Sequence, residues 1–235
     1  MIFKIKKKLY FVLFTVLFTC IYITGFSQVN DAEFWENISV SKKITRNSNF
    51  HFNHEGRIAY NISLFHYAYG DFGITRNLTK HFKIEMDYVL VWKQTELRKS
   101  WRHQWYTALL YKDKFNKRVE LNLRSMYQVQ YQDIYSSDLG MYPSNYLRNK
   151  ITVSYIFNKY PFYLFKPYLA LESYYHLDNN DKYGSQFDRL RYFAGVFYNF
   201  NRKTALELYY LIEKNFNTNS PTTNYVIGIG YEFDL

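Results

Sequence analysis

The chain has 235 residues, among them 26 Tyr, 21 Phe and 4 Trp, with 30 Lys+Arg against 20 Asp+Glu and only 9 Gly and 4 Pro. That aromatic content excludes intrinsic disorder, and the scarcity of Gly and Pro excludes collagen-like and linker-like chains. Beyond the N-terminus there is no apolar run long enough for a membrane helix, and the length suits one domain, up to a single large barrel.

The first element is an address. Lys4, Lys6, Lys7 and Lys8 precede the almost wholly apolar stretch 9–23, and Gly25-Phe26-Ser27 sets small residues before Gln28. This is the pattern of a cleaved secretory signal over residues 1–27, leaving 28–235 as the mature domain. A short membrane anchor is the alternative, but the run is short for a span. A lipoprotein signal would use Cys20, where Phe18 occupies a place usually held by a small residue. Cleavage removes the sole cysteine and four lysines, so 26 Lys+Arg face 20 Asp+Glu and the net charge falls from +10 to +6. Thiol catalysis and Cys-ligated metals are excluded, and a nucleic-acid role for an exported chain has little support.

From about Phe34 onward the apolar period is two. In 118–131, Val119, Leu121, Leu123, Tyr127, Val129 and Tyr131 share one face, while Arg118, Glu120, Asn122, Arg124, Gln128 and Gln130 share the other. A helix would scatter those charges around its circumference; a strand separates them into an oily side and a wet side. Strands are predicted at 33–42, 48–57, 66–75, 81–92, 100–112, 117–131, 145–157, 162–175, 187–200, 204–213 and 223–235. Many reach the 9–11 residues that cross a bilayer at a tilt. Aromatic pairs such as Tyr155/Phe157, Phe162/Phe165, Tyr174/Tyr175 and Tyr198/Phe200 gather toward strand ends, the expected placement of interfacial girdles. Short links near 43–47, 76–80, 113–116, 158–161 and 201–203 alternate with longer ones near 58–65, 93–99, 132–144, 176–186 and 214–222.

The fold class is therefore an all-β, antiparallel transmembrane up-and-down barrel of about 10–12 strands. Eleven segments conflict with the even count usual in bacterial single-chain barrels. Ten or twelve walls are expected, with segment 33–42 not a full wall strand or one strand uncounted. Charge pairing sets the hairpin registers: an index sum of 320 puts Arg148 against Glu172, and a sum of 404 puts Arg191 against Glu213. At the end of the chain, Gly228, Ile229, Gly230, Tyr231, Glu232 and Phe233 alternate in the manner of the C-terminal signal read by the bacterial barrel-assembly machinery, which makes residues 228–235, from Gly228 to Leu235, the expected contact with that partner.

With Phe34-Trp35, Tyr146-Leu147-Arg148-Asn149-Lys150, Lys166-Pro167-Tyr168, Asp188-Arg189-Leu190-Arg191-Tyr192, Leu206-Glu207-Leu208-Tyr209-Tyr210 and Ile227-Gly228-Ile229-Gly230-Tyr231 in this order, the chain resembles the domain-of-unknown-function-2490 family of Bacteroidota. The resemblance spans nearly the whole mature chain. It implies an exported outer-membrane barrel and no activity, since the family has no established one.

The candidate binding residues are those of the wet face: Arg118, Glu120, Arg124, Arg148, Lys150, Glu172, Arg189, Arg191, Glu207 and Glu213, with Arg102, Gln104 and Gln128 beside them. Buried charges must pair, so these residues form either a packed polar plug or the lining of a narrow basic lumen, and rings of Arg favour anions. Ser100/His103 and Ser173/His176 are three apart, which on a strand puts each pair on opposite faces, so no nucleophilic catalysis is expected. Asp178-Asn179-Asn180-Asp181 fails the calcium-loop spacing because Lys182 stands in the third ligand place and Gly184 comes too late. His51 and His54 lie on opposite faces, and neither a metal nor a cofactor is expected. The expected surroundings are outer-membrane lipid and an unidentified small solute. An outer-leaflet lipase or deacylase and an exported, soluble β-sandwich binding protein are the alternatives.

Overall fold

The structure, a computed structural model, describes residues 29–95, 99–115, 118–131, 143–157, 164–178, 185–218 and 220–235. The expected signal segment, Phe162 and the Asn179–Asp181 part of the acidic turn lie outside the described residues. The described residues form eleven strands and no helix: β1 (Val29–Lys43), β2 (Ser48–Ala59), β3 (Leu64–Asn77), β4 (Phe82–Gln94), β5 (Lys99–Phe115), β6 (Val119–Tyr131), β7 (Ser144–Tyr155), β8 (Leu164–His176), β9 (Gln186–Asn199), β10 (Thr204–Asn215) and β11 (Thr222–Asp234). Each predicted segment is a strand, and each neighbour in sequence is a neighbour in space.

The eleven strands close into one barrel. Successive strands of an up-and-down barrel alternate in direction, so an odd number brings the first and last together running the same way. β1 accordingly pairs with β11 in parallel, from Val29↔Thr222 to Ser41↔Asp234, while every other neighbouring pair is antiparallel. This corrects the expectation of an even count: segment 33–42 is a full wall strand, and the described residues close the barrel with eleven. At its lower end the seam is fastened by a hydrogen bond from Ser41 to the Asp234 carboxylate and by Leu235 N donating to Ser41 O at 2.9 Å.

The row that crosses the seam runs Arg57, Trp35, Gly228, Tyr209, Gly195, Tyr168 around the inner wall. Large rings alternate with glycines. A Cβ on Gly228 would stand 2.0 Å from Tyr209 Cζ, and one on Gly195 would stand 2.7 Å from Tyr168 Cε1. The glycines thus let the rings lie flat along the wall. Leu211 and Val226 pack against Trp35 of this row as an apolar cluster at the closure.

One end of the barrel, here the lower, carries the β1–β2, β3–β4, β5–β6, β7–β8 and β9–β10 connections and Leu235; the upper carries the other five. The alternation in length is less regular than expected. The β2–β3 link, expected among the longer ones, is only residues 60–63. The tight 60–63 turn holds Tyr60, Asn61 and Ile62 at φ of 55°, 55° and 60°, a region non-glycine residues seldom occupy. Asp31 stabilises it across β1, accepting from Tyr60 N at 2.9 Å and from Asn61 N at 2.6 Å.

Outward positions are mostly apolar, with Glu36, His54, Ser125 and Asn149 among the polar exceptions; Met86, Trp105, Leu169 and Ile227 are 54–66% exposed. Aromatic pairs flank this belt. Phe65–Trp92, Tyr88–Trp105 and His103–Tyr131 stand toward the upper end, and Phe82–Tyr111, Tyr155–Phe157 and Tyr198–Phe200 toward the lower. Tyr174 does not belong to the girdle. Adjacent strand residues face opposite ways, and only Tyr175 meets the outer ring of Phe187, at 5.0 Å.

Candidate functional site

The inward-facing residues enclose a cavity of about 1010 Å³. Its lining runs from Ser41 and Glu232 near the lower end to Thr218 and Ser220 in the upper β10–β11 connection. Eight strands give an interior that side chains just fill, and sixteen leave an open channel. Eleven lie between, and the interior here is part filled and part open. Among the described residues the lining carries nine Lys/Arg (Arg57, Lys83, Lys93, Arg102, Arg124, Arg148, Lys150, Arg189, Arg191) and eight Asp/Glu (Glu33, Glu55, Asp71, Glu85, Glu172, Glu207, Glu213, Glu232). The two signs are nearly balanced and unevenly distributed.

On β6–β10 the charges meet at Glu172, whose side chain is 2% exposed. Its Oε1 accepts from Arg124 at 2.7 Å and Arg148 at 2.9 Å, and its Oε2 accepts from Arg191 at 3.4 Å. Arg191 Nε also donates to Glu213 at 2.6 Å, and Arg189 stands 3.8 Å from the same carboxylate. Arg191 lies directly opposite Glu213, as the index sum of 404 requires. The other register is corrected by one pair: Glu172 faces Lys150, and Arg148 faces Tyr174 and reaches Glu172 diagonally. Lys150 rests over the Phe193 ring at 4.2 Å.

Three rings make the guanidinium groups tolerable in this wall. Tyr174 has Arg148 at 4.3 Å, Arg189 at 4.9 Å and Arg191 at 5.0 Å from its centroid. Trp35 and Tyr67 hold Arg57 at 3.7 and 4.4 Å. An aromatic face attracts a cation and is apolar enough to pack. These rings were not among the candidates; the available signal is that Trp35 and Tyr174 have the strand parity of Glu33 and Glu172, so each is a ring on the wet face.

The other candidates separate by height. Glu207 lines the cavity and accepts a hydrogen bond from Tyr168. Glu120 is buried below, with Lys112, Lys166 and Lys114 at 3.1, 3.5 and 3.6 Å. Arg118 is not a lumen residue. It precedes the first residue of β6, is exposed, and donates to the Tyr155 hydroxyl at 3.2 Å. Lys93, Arg102 and Arg189 line the upper part of the cavity near the strand ends, and Lys93 forms no ion pair among the described residues.

A different arrangement occupies β2–β4. His51 pairs with Gly73 across β2–β3, and Gly73 pairs with Asp87 across β3–β4. With no side chain between them, the His51 imidazole and the buried Asp87 carboxylate hydrogen bond to each other. Asp71, two residues along β3 on the same face, accepts from the Tyr106 hydroxyl at 2.7 Å and from Asn53 at 3.5 Å. No candidate included this group. Its signal is equally a matter of parity, since His51, Asp71, Gly73 and Asp87 all fall at odd, inward positions.

Ser100 and His103 lie on opposite faces of β5: the His103 ring is outside, 4.6 Å from Tyr131. His176 faces inward, stacked on Tyr146 at 4.8 Å and with its Nε2 3.1 Å from Asp178, away from Ser173.

A family model described as protein of unknown function (DUF2490) matches residues 32–224. No curated protein and no solved structure matches the chain.

Proposed function

The chain belongs to the DUF2490 family of proteins of unknown function, and we propose that it is an exported barrel of a bacterial outer membrane whose narrow, charge-lined lumen admits small anionic solutes. One observation carries this reading: the barrel is inverted relative to a soluble protein, with Phe, Leu, Ile and Tyr exposed outside and Glu172, Arg191, Glu213 and Asp87 buried inside. An outer surface this rich in apolar side chains supports a lipid partner, and a closed barrel satisfies every wall hydrogen bond without water. The 12–17 residues of the strands exceed the span of a tilted crossing. Residues 228–235 suit recognition by the barrel-assembly machinery, with Gly228 and Gly230 inward and Tyr231 and Phe233 outward. The preference for anions rests on Lys93, Arg102 and Arg189 near the upper mouth, where cations gather. No catalytic role is part of the proposal.

Extraction with detergent and heat-modifiable gel migration test the membrane barrel; solubility without detergent defeats it. Planar-bilayer recordings test the lumen. A small conductance with anion preference is expected, and Lys93→Glu is expected to reduce or invert that preference while leaving gel migration unchanged. The saturated ion cluster at Glu172 favours a second reading, a structural plug, and silence at every voltage would select it.

A further inference from the structure

We propose that His51, Asp71 and Asp87 form a binding site for a divalent transition-metal ion on the inner wall of β2–β4. Their nearest ligand atoms all lie within 4.8 Å of one another. Around a tetrahedral Zn²⁺, ligands at about 2.0–2.2 Å from the ion stand roughly 3.3 Å apart, so modest side-chain rotation closes the site.

Two further observations point to a ligand. Asp71 and Asp87 are each 5% exposed, and one oxygen of each, Asp71 Oδ1 and Asp87 Oδ2, is buried with no hydrogen-bond partner. Buried carboxylate oxygens are rarely left so, because the lost hydration costs more than an ordinary hydrogen bond recovers. Gly73 supplies the second. A Cβ there would stand 1.5 Å from Asp87 Oδ1 and 2.4 Å from His51 Nε2. The glycine clears the ground on which the ligands meet.

The remaining atoms of His51 and Asp71 are already held in the manner of metal ligands. His51 Nδ1 lies 3.3 Å from the Thr75 hydroxyl, and Thr75 in turn lies 3.4 Å from Glu85. Asp71 uses its other oxygen on Tyr106. Such outer contacts fix ring orientation and ligand basicity. The charge balance has the same sense: one imidazole faces two carboxylates with Glu85 beside them, and no Lys or Arg forms an ion pair with Asp71, Asp87 or Glu85 among the described residues. One nitrogen with two oxygens suits Zn²⁺, Co²⁺ or Mn²⁺. Calcium, which takes six to eight oxygens, is poorly served. His51 and Asp71 border the cavity, so the ion enters from the lumen. The site stands whether or not the lumen conducts.

The test uses the full barrel, folded in detergent, stripped with a chelator and titrated with Co²⁺ and then Zn²⁺. Visible absorption from one Co²⁺ per chain, displaced by Zn²⁺, is expected. Asp71→Asn and Asp87→Asn should each weaken binding by about tenfold or more, and the outward-facing His54→Ala should leave it unchanged. If an Asp variant fails to fold, Thr75→Val should still lower affinity in a folded barrel. Absence of stoichiometric binding to folded wild-type protein, or full binding by the Asp71→Asn/Asp87→Asn double variant, overturns the proposal.

Discussion

Glu172 and Asp87 are both carboxylates buried in the same barrel wall, and their surroundings are opposite. Glu172 sits in a surplus of cations, with Arg124, Arg148 and Arg191 on its two oxygens and Lys150 across the strand. Asp87 sits in a surplus of anions, hydrogen bonded to one imidazole with Asp71 close by and keeping one oxygen unpartnered. A buried charge saturated by its neighbours is part of the scaffold. A buried charge left short of a counter-charge marks a place where one can be received.

The largest effect expected from this contrast is that of Glu172→Ala, which leaves three guanidinium groups and Lys150 facing one another. Denaturant unfolding of the refolded variant should show a loss of about 3–5 kcal/mol, the range for breaking a buried pair from one side. A loss below about 1 kcal/mol would mean that the cluster is solvated and the contrast is false. Asp87→Asn should behave in the reverse sense, being neutral or stabilising without metal because it removes one of two adjacent negative charges. With Zn²⁺ at a hundred times its dissociation constant, wild-type protein should gain about 2.7 kcal/mol by mass action, and Asp87→Asn, binding at least tenfold more weakly, no more than about 1.4 kcal/mol. A chelator should cancel that gain in thermal unfolding. Smallest is the difference between two glycines of the inner wall. Gly228→Ala drives a Cβ into the Tyr209 ring and should cost about 1–3 kcal/mol, since the packed ring cannot swing aside cheaply. Gly73→Ala displaces only the ends of His51 and Asp87, so it should abolish Co²⁺ binding at a lower cost in stability.

These contrasts were only partly legible in the sequence. The lumen side of Arg124, Arg148, Lys150, Glu172, Arg189, Arg191, Glu207 and Glu213 followed from parity along each strand. The Arg191–Glu213 register was legible because a tight turn and one charge match leave a single choice. The β7–β8 register was not, since Arg148 and Lys150 both offer Glu172 a cation and both serve it. Phe157↔Phe165 and Lys150↔Glu172 share one index sum, 322, so the bridge beyond the strand ends keeps the same register as the Lys150–Glu172 pair. The β2–β3 turn escaped prediction because its left-handed residues are Tyr, Asn and Ile, and what holds them is Asp31, about thirty positions away.

The sequence by itself determined the strands, their inner and outer faces and the all-β class, because alternation is a local property that every strand must satisfy alone. Tertiary structure alone decided how the barrel closes, which carboxylates share a neighbour and which rings support the arginines. Those are properties of closure: an odd number of strands forces one parallel seam, and only the closed wall sets His51 beside Asp87 over a glycine and Trp35 beside Arg57 and Arg191.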